Sequence, residues 1–303
     1  MRKLSLPQKS LLHLALLVFS VSGLCAQDKG LIAAAAENLG PSVIIGKQYA
    51  LFIAINTYRT WPALKKPVVH ARDLSDTLRQ TCYIDEVIQL YNQDATYQNI
   101  VKTFTDLQTK LNTHDSLFIY FSGHGYVDKA SGQGFWIPID GGTNHSAREN
   151  WLSDSRICEC ISGLKAMHVF MVCDACCSGD LFSATGTIPA LVDYRRGYSL
   201  SSRQVLSNGR SINAPDHSNF SEAFKMCLRK NIAPMIDPLV IYNDMRSSVH
   251  RNAPVYGVIN SASHQDGAAF LFFSKKEPEK SHKNVLAGVL CLGLVLSALI
   301  LMI

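Results

Sequence analysis

Nowhere in these 303 residues do basic side chains gather into a stripe interleaved with aromatics, and the net charge of +5 is scattered. That excludes the electrostatic footprint of a nucleic-acid binder. A solvated surface of mixed charge accounts for the lysines and arginines. Internal repeats and low-complexity tracts are absent, so repeat architectures are excluded too. Metal-ligand spacing is nearly missing. Cys173-Asp174-Ala175-Cys176 reads as C-x-x-C, a redox pair or half a zinc site, but no second C-x-x-C and no H-x3-H follows it. Cys158 and Cys160 stand too close together for most zinc knuckles and suit helix packing. No metal and no cofactor is expected. The nine cysteines do not read as a disulfide framework: without Cys25 and Cys291 of the apolar end segments seven remain, an odd number that leaves a thiol free.

What is present begins with apolar residues, 47% of the chain, enough to bury a full core in one domain of about 230 residues. Both ends are apolar as well. Arg2, Lys3 and Lys9 precede a run from Leu11 to Leu24 and then Cys25-Ala26. These are the charged, apolar and small-residue parts of a secretory signal, with a cut after Ala26; an uncleaved anchor is the alternative. Val285 to Ile303 carries no charge. About 20 such residues span a hydrocarbon core, so residues 284–303 are expected to form a transmembrane helix and make the membrane a partner. The chain thus divides into a signal (1–26), a linker (27–47), a domain (48–274), a charged linker (275–283) and the membrane helix. The signal puts the domain on the extracytoplasmic side. Lys275, Lys276 and Lys280 argue for the opposite, a cytoplasmic domain anchored by its tail.

Between the ends, β-branched or aromatic runs alternate with helical patterns. Strands are predicted at Tyr49–Asn56, Glu86–Tyr91, Ser116–Phe121, His168–Cys173, Arg203–Ser207, Val255–Ile259 and Ala268–Phe273. Helices are predicted to start at Pro67, near Asp94 and Thr96, at Asp154, near Ser218 and at Pro238, with a short strand or turn at Trp136–Asp140. The alternation implies an α/β fold, a mostly parallel central sheet with helices on both faces. Residues 183–202 are small, polar and aperiodic and read as a flexible loop.

Parallel sheets gather chemistry at the carboxyl ends of their strands. Ser122-Gly123-His124-Gly125 leaves one predicted strand and Asp174-Ala175-Cys176-Cys177-Ser178-Gly179 leaves another. His124 and Cys176, 52 positions apart, are therefore a candidate base and nucleophile. Only a thiolate attacks a carbonyl, and a free thiol has a pKa of about 8.5, so it needs a base beside it. Imidazole, unperturbed at about 6.5, is suited to that. The amides of Gly125 and Cys176 are candidate donors to an oxyanion. Asp140 reads as a turn residue rather than a catalytic one. C-x-x-C redox chemistry through Cys173 and Cys176 is the rival reading.

Strand–Ser-Gly-His-Gly, Ile137-Pro-Ile-Asp140 and strand–Asp-Ala-Cys-Cys-Ser-Gly, in that order, resemble the caspase-like cysteine peptidases, in particular the metacaspase branch and its prokaryotic relatives. Leu64-Lys-Lys-Pro-Val-Val-His-Ala-Arg-Asp-Leu74 and His217-Ser-Asn-Phe220 extend the likeness from about Tyr49 to Phe273. The resemblance implies a caspase–haemoglobinase three-layer sandwich with a His124–Cys176 dyad, a Gly125 and Cys176 oxyanion hole and a peptide substrate. It implies cleavage after Arg or Lys, with Asp174 as one acidic wall of the specificity pocket. Where that branch has a second pocket carboxylate this chain has His70, and Cys177 replaces the histidine that often follows the nucleophile. No acidic cluster of the kind linked to calcium activation is present. A pocket for basic residues would make Arg195-Arg196 a self-processing site. An inactive caspase-like scaffold or sensor is the non-enzymatic alternative, and oligomeric state is not legible.

Overall fold

The computed structural model describes residues 38–175, 181–184, 193–209, 219–248, 253–260 and 263–275. In chain order its first elements are β1 (Gln48–Ala54), α1 (Pro67–Thr81), β2 (Glu86–Tyr91), α2 (Tyr97–Lys110) and β3 (Ser116–Ser122). Next come β4 (Gly125–Val127), β5 (Gly134–Trp136), β6 (Leu152–Ser153), α3 (Asp154–Ser162), β7 (His168–Asp174) and β8 (Phe182–Ala184). The last are α4 (Tyr194–Tyr198), β9 (Ser202–Ser207), α5 (Phe220–Lys230), β10 (Met235–Ile236), α6 (Pro238–Ser248), β11 (Val255–Ile259) and β12 (Phe272–Phe273). One sheet runs β2-β1-β3-β7-β9-β11-β8. Its first five strands are parallel, and β11 and β8 are antiparallel to their neighbours.

All residues of β1, β3 and β7 are buried, because helices cover both faces of the sheet, as unbroken apolar strands require. The two-residue period of a strand divides the core in two. Leu51, Ile53, Ile119, Phe121 and Met171 pack on one side with Ile100 and Phe104 of α2 and Ile157 of α3. Phe52, Phe118, Tyr120 and Phe170 pack on the other with Leu74 of α1, Phe224 of α5 and Ile241 of α6. Helix starts follow local chemistry. Pro67 opens α1, where Asn56 Oδ1 accepts from Val68 N at 2.9 Å. Thr96 caps α2 through Asn99 N, and Asp140 Oδ1 accepts from Tyr97 N at 2.9 Å. Asp140 is thus a helix-positioning group, and Asp94 lies in a separate short turn, Asn92–Asp94.

Three readings of the sequence change. The stretch 183–202 is not a continuous loop: Phe182–Ala184 pairs with β11, and Tyr194–Tyr198 forms a short helix capped by Asp193. Tyr198 is buried in a stack on His168 at 4.1 Å, a tertiary contact that leaves no periodic trace in five residues. The predicted strand Ala268–Phe273 narrows to Phe272–Phe273 on β10, and Phe270 N is taken by the Gln204 side chain at 2.9 Å. Trp136–Asp140 divides into the end of β5 and a turn in which Gly141 N donates to Pro138 O. Among the described residues no helix is long and apolar enough to cross a membrane; 1–26 and 284–303 lie outside them.

The edge strand β8 depends on one glycine. A Cβ at Gly257 of β11 would meet Ser183 O at 2.3 Å and Phe182 Cδ2 at 2.7 Å, both in β8. Gly257→Val is therefore expected to detach β8 while sparing the β9–β11 pairing. Overpacking of this kind costs about 1–3 kcal/mol. Hydrogen exchange should show amides of Phe182–Ala184 losing protection while those of Ser202–Ser207 keep it; equal protection in both proteins would contradict the packing argument.

Candidate active site

Strands β3 and β7 are adjacent and parallel, and their register pairs Ser122 with Asp174. His124 and Cys176 each follow two residues beyond those partners. Neighbouring strands lie about 4.8 Å apart, so both segments leave the sheet at the same level and on the same edge. Cys176 itself, with 177–180, lies outside the described residues. Gly125, the other oxyanion candidate, begins β4 and is half-buried opposite Trp136.

The imidazole of His124 is held from three sides. Its Nε2 lies 2.8 Å from the carbonyl oxygen of Pro62. A carbonyl only accepts, so Nε2 carries the proton and the lone pair of the neutral ring sits on Nδ1. Its backbone N–H donates to the Tyr58 hydroxyl at 2.7 Å. The rings of Tyr58 and Trp61 stand 4.8 and 5.4 Å from the imidazole. Burial pushes the Tyr58 phenol well above its usual range, which keeps it a neutral hydroxyl. Gly123 makes room for that hydroxyl: a Cβ there would stand 2.5 Å from it. The glycine before the histidine is thus explained by a close approach. Pro62 and Tyr58 escaped the sequence reading. A backbone carbonyl has no side-chain signature, although the aromatic loop Tyr58–Trp61 was a visible cue.

Asp174 is wholly buried and anchors a polar chain. Asn208 Nδ2 donates to its Oδ1 at 2.8 Å and Ser221 Oγ to its Oδ2 at 2.6 Å. Since the single Ser221 proton goes to the carboxylate, the Tyr120 hydroxyl, 2.6 Å from Ser221 Oγ, donates to it. Burial and then the charge of Asp174 hold the Tyr120 phenol far above its ordinary value. His70 is half-buried near the start of α1, in the field of Glu222 and Lys225 of α5, the helix that also bears Ser221. Burial, then Lys66 and Lys225, lower its pKa. It carries no negative charge.

Arg195 and Arg196 lie far from this edge. They sit in α4, which precedes the first residue of β9, and Ser202 there pairs with His168, the first residue of β7. The Arg195 guanidinium bonds Ser42 Oγ at 3.2 Å, and both arginines line a cavity of about 590 Å³ with His114 and Met167. A seven-residue strand spans roughly 23 Å, so the pair occupies the opposite pole of the sheet. Cys158 and Cys160 are free and buried in α3, and burial raises both thiols. Cys173 is buried in β7 and disulfide-bonded. Among the described residues no cluster of His, Cys, Asp or Glu could hold a metal ion.

The profile of the family described as "Caspase domain" matches residues 47–279. In its fold the chain is similar to protein GSU0716 from Geobacter sulfurreducens, with 14% identity and a TM-score of 0.51 over 74% of this chain and 100% of that one. A further neighbour is the Drosophila initiator caspase Dronc, with 11% identity and a TM-score of 0.46 over 74% of this chain and 88% of that one. No curated protein matches the sequence.

Proposed function

Because this chain belongs to the caspase-domain family of cysteine-type peptidases, we propose that it is an endopeptidase working through His124 and Cys176. The observation that carries this reading is the Ser122–Asp174 register together with the Pro62 carbonyl on His124 Nε2. That carbonyl leaves Nδ1 as the basic atom. The Cys176 proton passes to Nδ1, and the sulfur adds to the scissile carbonyl carbon. The oxyanion accepts from the amides of Gly125 and Cys176. As the C–N bond breaks, the imidazolium returns the proton to the departing amine. Water, deprotonated by the same nitrogen, then hydrolyses the thioester.

Asp174 supports cleavage after arginine or lysine. Its buried carboxylate is held in place by Asn208 and Ser221, and a carboxylate so fixed pairs with a guanidinium through charge-assisted hydrogen bonds. We assign His70 to the rim of the same pocket, where its neutral ring favours neither charge strongly. The domain is proposed to be tethered by residues 284–303 on the extracytoplasmic side, with a cytoplasmic tail anchor as the alternative. Fluorogenic peptides ending in Arg, Lys or Asp before the reporter test the specificity. Turnover of the Arg and Lys peptides at least about tenfold above Asp is expected, the scale of one charge-assisted hydrogen bond. Preference for Asp would overturn the basic pocket, and cleavage of none would leave an inactive scaffold.

Self-processing after Arg195 or Arg196 follows from the same pocket, with a constraint from their placement. From the opposite pole they reach a neighbouring copy's cleft more readily than their own. New termini at these residues, read by mass spectrometry, should form at a rate that rises with the square of protein concentration and not at all in Cys176→Ala. First-order formation would contradict the intermolecular route. The redox reading has one observation in its favour, the oxidised state of Cys173. Against it stands the match of residues 47–279 to the caspase domain.

A further inference from the structure

Beside His124 the small sheet β4-β5-β6 carries a cluster of rings that the mechanism above does not use. Trp61 stands 5.4 Å from the imidazole and stacks with His145 at 6.0 Å. His145 meets Tyr126 edge-on at 4.6 Å. Trp151, almost wholly buried, underlies both, 5.6 Å from Trp61 and 5.0 Å from Tyr126. The two indole N–H groups donate to one acceptor, Gly142 O, at 3.0 and 2.7 Å. That shared carbonyl fixes both rings before anything binds. Trp61 and Tyr126 are half-buried and His145 is exposed, so the shelf has a solvent-facing side.

The chemistry of His124 says which part of a substrate lies there. In acyl transfer by a nucleophile–imidazole pair, the imidazolium hands its proton to the leaving nitrogen. The residue on the amine side of the broken bond therefore hangs beside the imidazole. Trp61 is a ring neighbour of that imidazole. We propose that Trp61, His145 and Tyr126 form a preorganised subsite for an aromatic side chain on the residue immediately after the scissile bond. This deepens the endopeptidase reading and rests on it.

An aromatic occupant fits better than a basic one. Arg148 already holds the cation position over Phe135, at 4.9 Å, and Arg59, Lys65 and Lys66 share the loop that carries Trp61. Arg148 is itself paired with Asp128, so what disfavours a further cation is the set of three basic residues in the Trp61 loop. A neutral ring gains offset or edge-to-face contacts with rings already fixed, so little ordering cost is set against binding.

Internally quenched peptides with Arg before the bond and Phe, Gly, Asp or Lys after it test this on the full-length chain. The quantity read is the Phe-to-Gly ratio of kcat/KM within each protein, which a general loss through His124 does not move. Wild type should favour Phe by at least about fivefold, the scale of one good aromatic contact. The ratio should fall towards one in Trp61→Ala, drop in His145→Ala and survive in part in Trp61→Phe. Should Trp61→Ala lose all turnover, Trp61→Phe and His145→Ala carry the test. A wild-type ratio near one, a preference for Lys, or an unchanged ratio in the variants overturns the subsite while leaving the peptidase intact. The residue before the bond is the one the fluorogenic panel favours, with Arg expected; if wild type cuts none of the four peptides built on it, both readings fall together.

Discussion

Cys176→Ala is expected to lower peptide turnover by at least about 10³-fold in reducing buffer, and His124→Ala by about 10²–10⁴-fold. The double variant should be no slower than the worse single one, because base and nucleophile act as one unit. Cys173→Ser should keep turnover within about tenfold, although loss of its disulfide costs typically about 2–4 kcal/mol of stability. His124→Ala should instead melt close to wild type, since His124 follows a strand end and belongs to neither core cluster. Two patterns would sink the assignment. Equal loss at Cys173 and Cys176 would point to thiol–disulfide chemistry. Turnover surviving His124→Ala would mean that the imidazole held by Pro62 is not the base. The contrast with Tyr58→Phe is informative, since that change removes the acceptor of the His124 N–H and leaves the ring chemistry intact.

The central strands were legible because each is buried on both faces, so its sequence is a short unbroken apolar run ending in small residues. β1, β3 and β7 lie where those runs are, and the family match over 47–279 agrees with the resemblance carried by the histidine and cysteine motifs. What stayed hidden is what tertiary contact decides. The three-stranded sheet around His124 is built from strands of two and three residues, too short for any period to show. β8 pairs at the edge only because Gly257 lacks a side chain, a requirement written in another part of the chain. The Asp174 network shows both sides of this. Its carboxylate was visible two residues before Cys176, whereas Asn208 and Ser221, its donors, lie 34 and 47 positions away.

That network makes Asp174→Asn the most discriminating single substitution. The amide keeps the shape and, with its oxygen towards one donor, part of the hydrogen bonding; what it loses is the charge. If Asp174 reads the basic residue before the bond, Asn should cut kcat/KM for Arg peptides by about 10–100-fold, the loss of a charge-assisted pair. Peptides with a neutral residue there should change far less. If Asp174 only ties β7 to α5 through Ser221, both classes should fall together and the melting temperature should drop with them. Ser221→Ala separates the roles further. It removes one donor and leaves the Tyr120 hydroxyl without its acceptor in a fully buried site, a cost of about 1–3 kcal/mol. Stability should therefore fall while the Arg-to-neutral ratio holds, because the carboxylate and its charge remain. A ratio lost in Ser221→Ala but kept in Asp174→Asn would move the specificity away from the carboxylate.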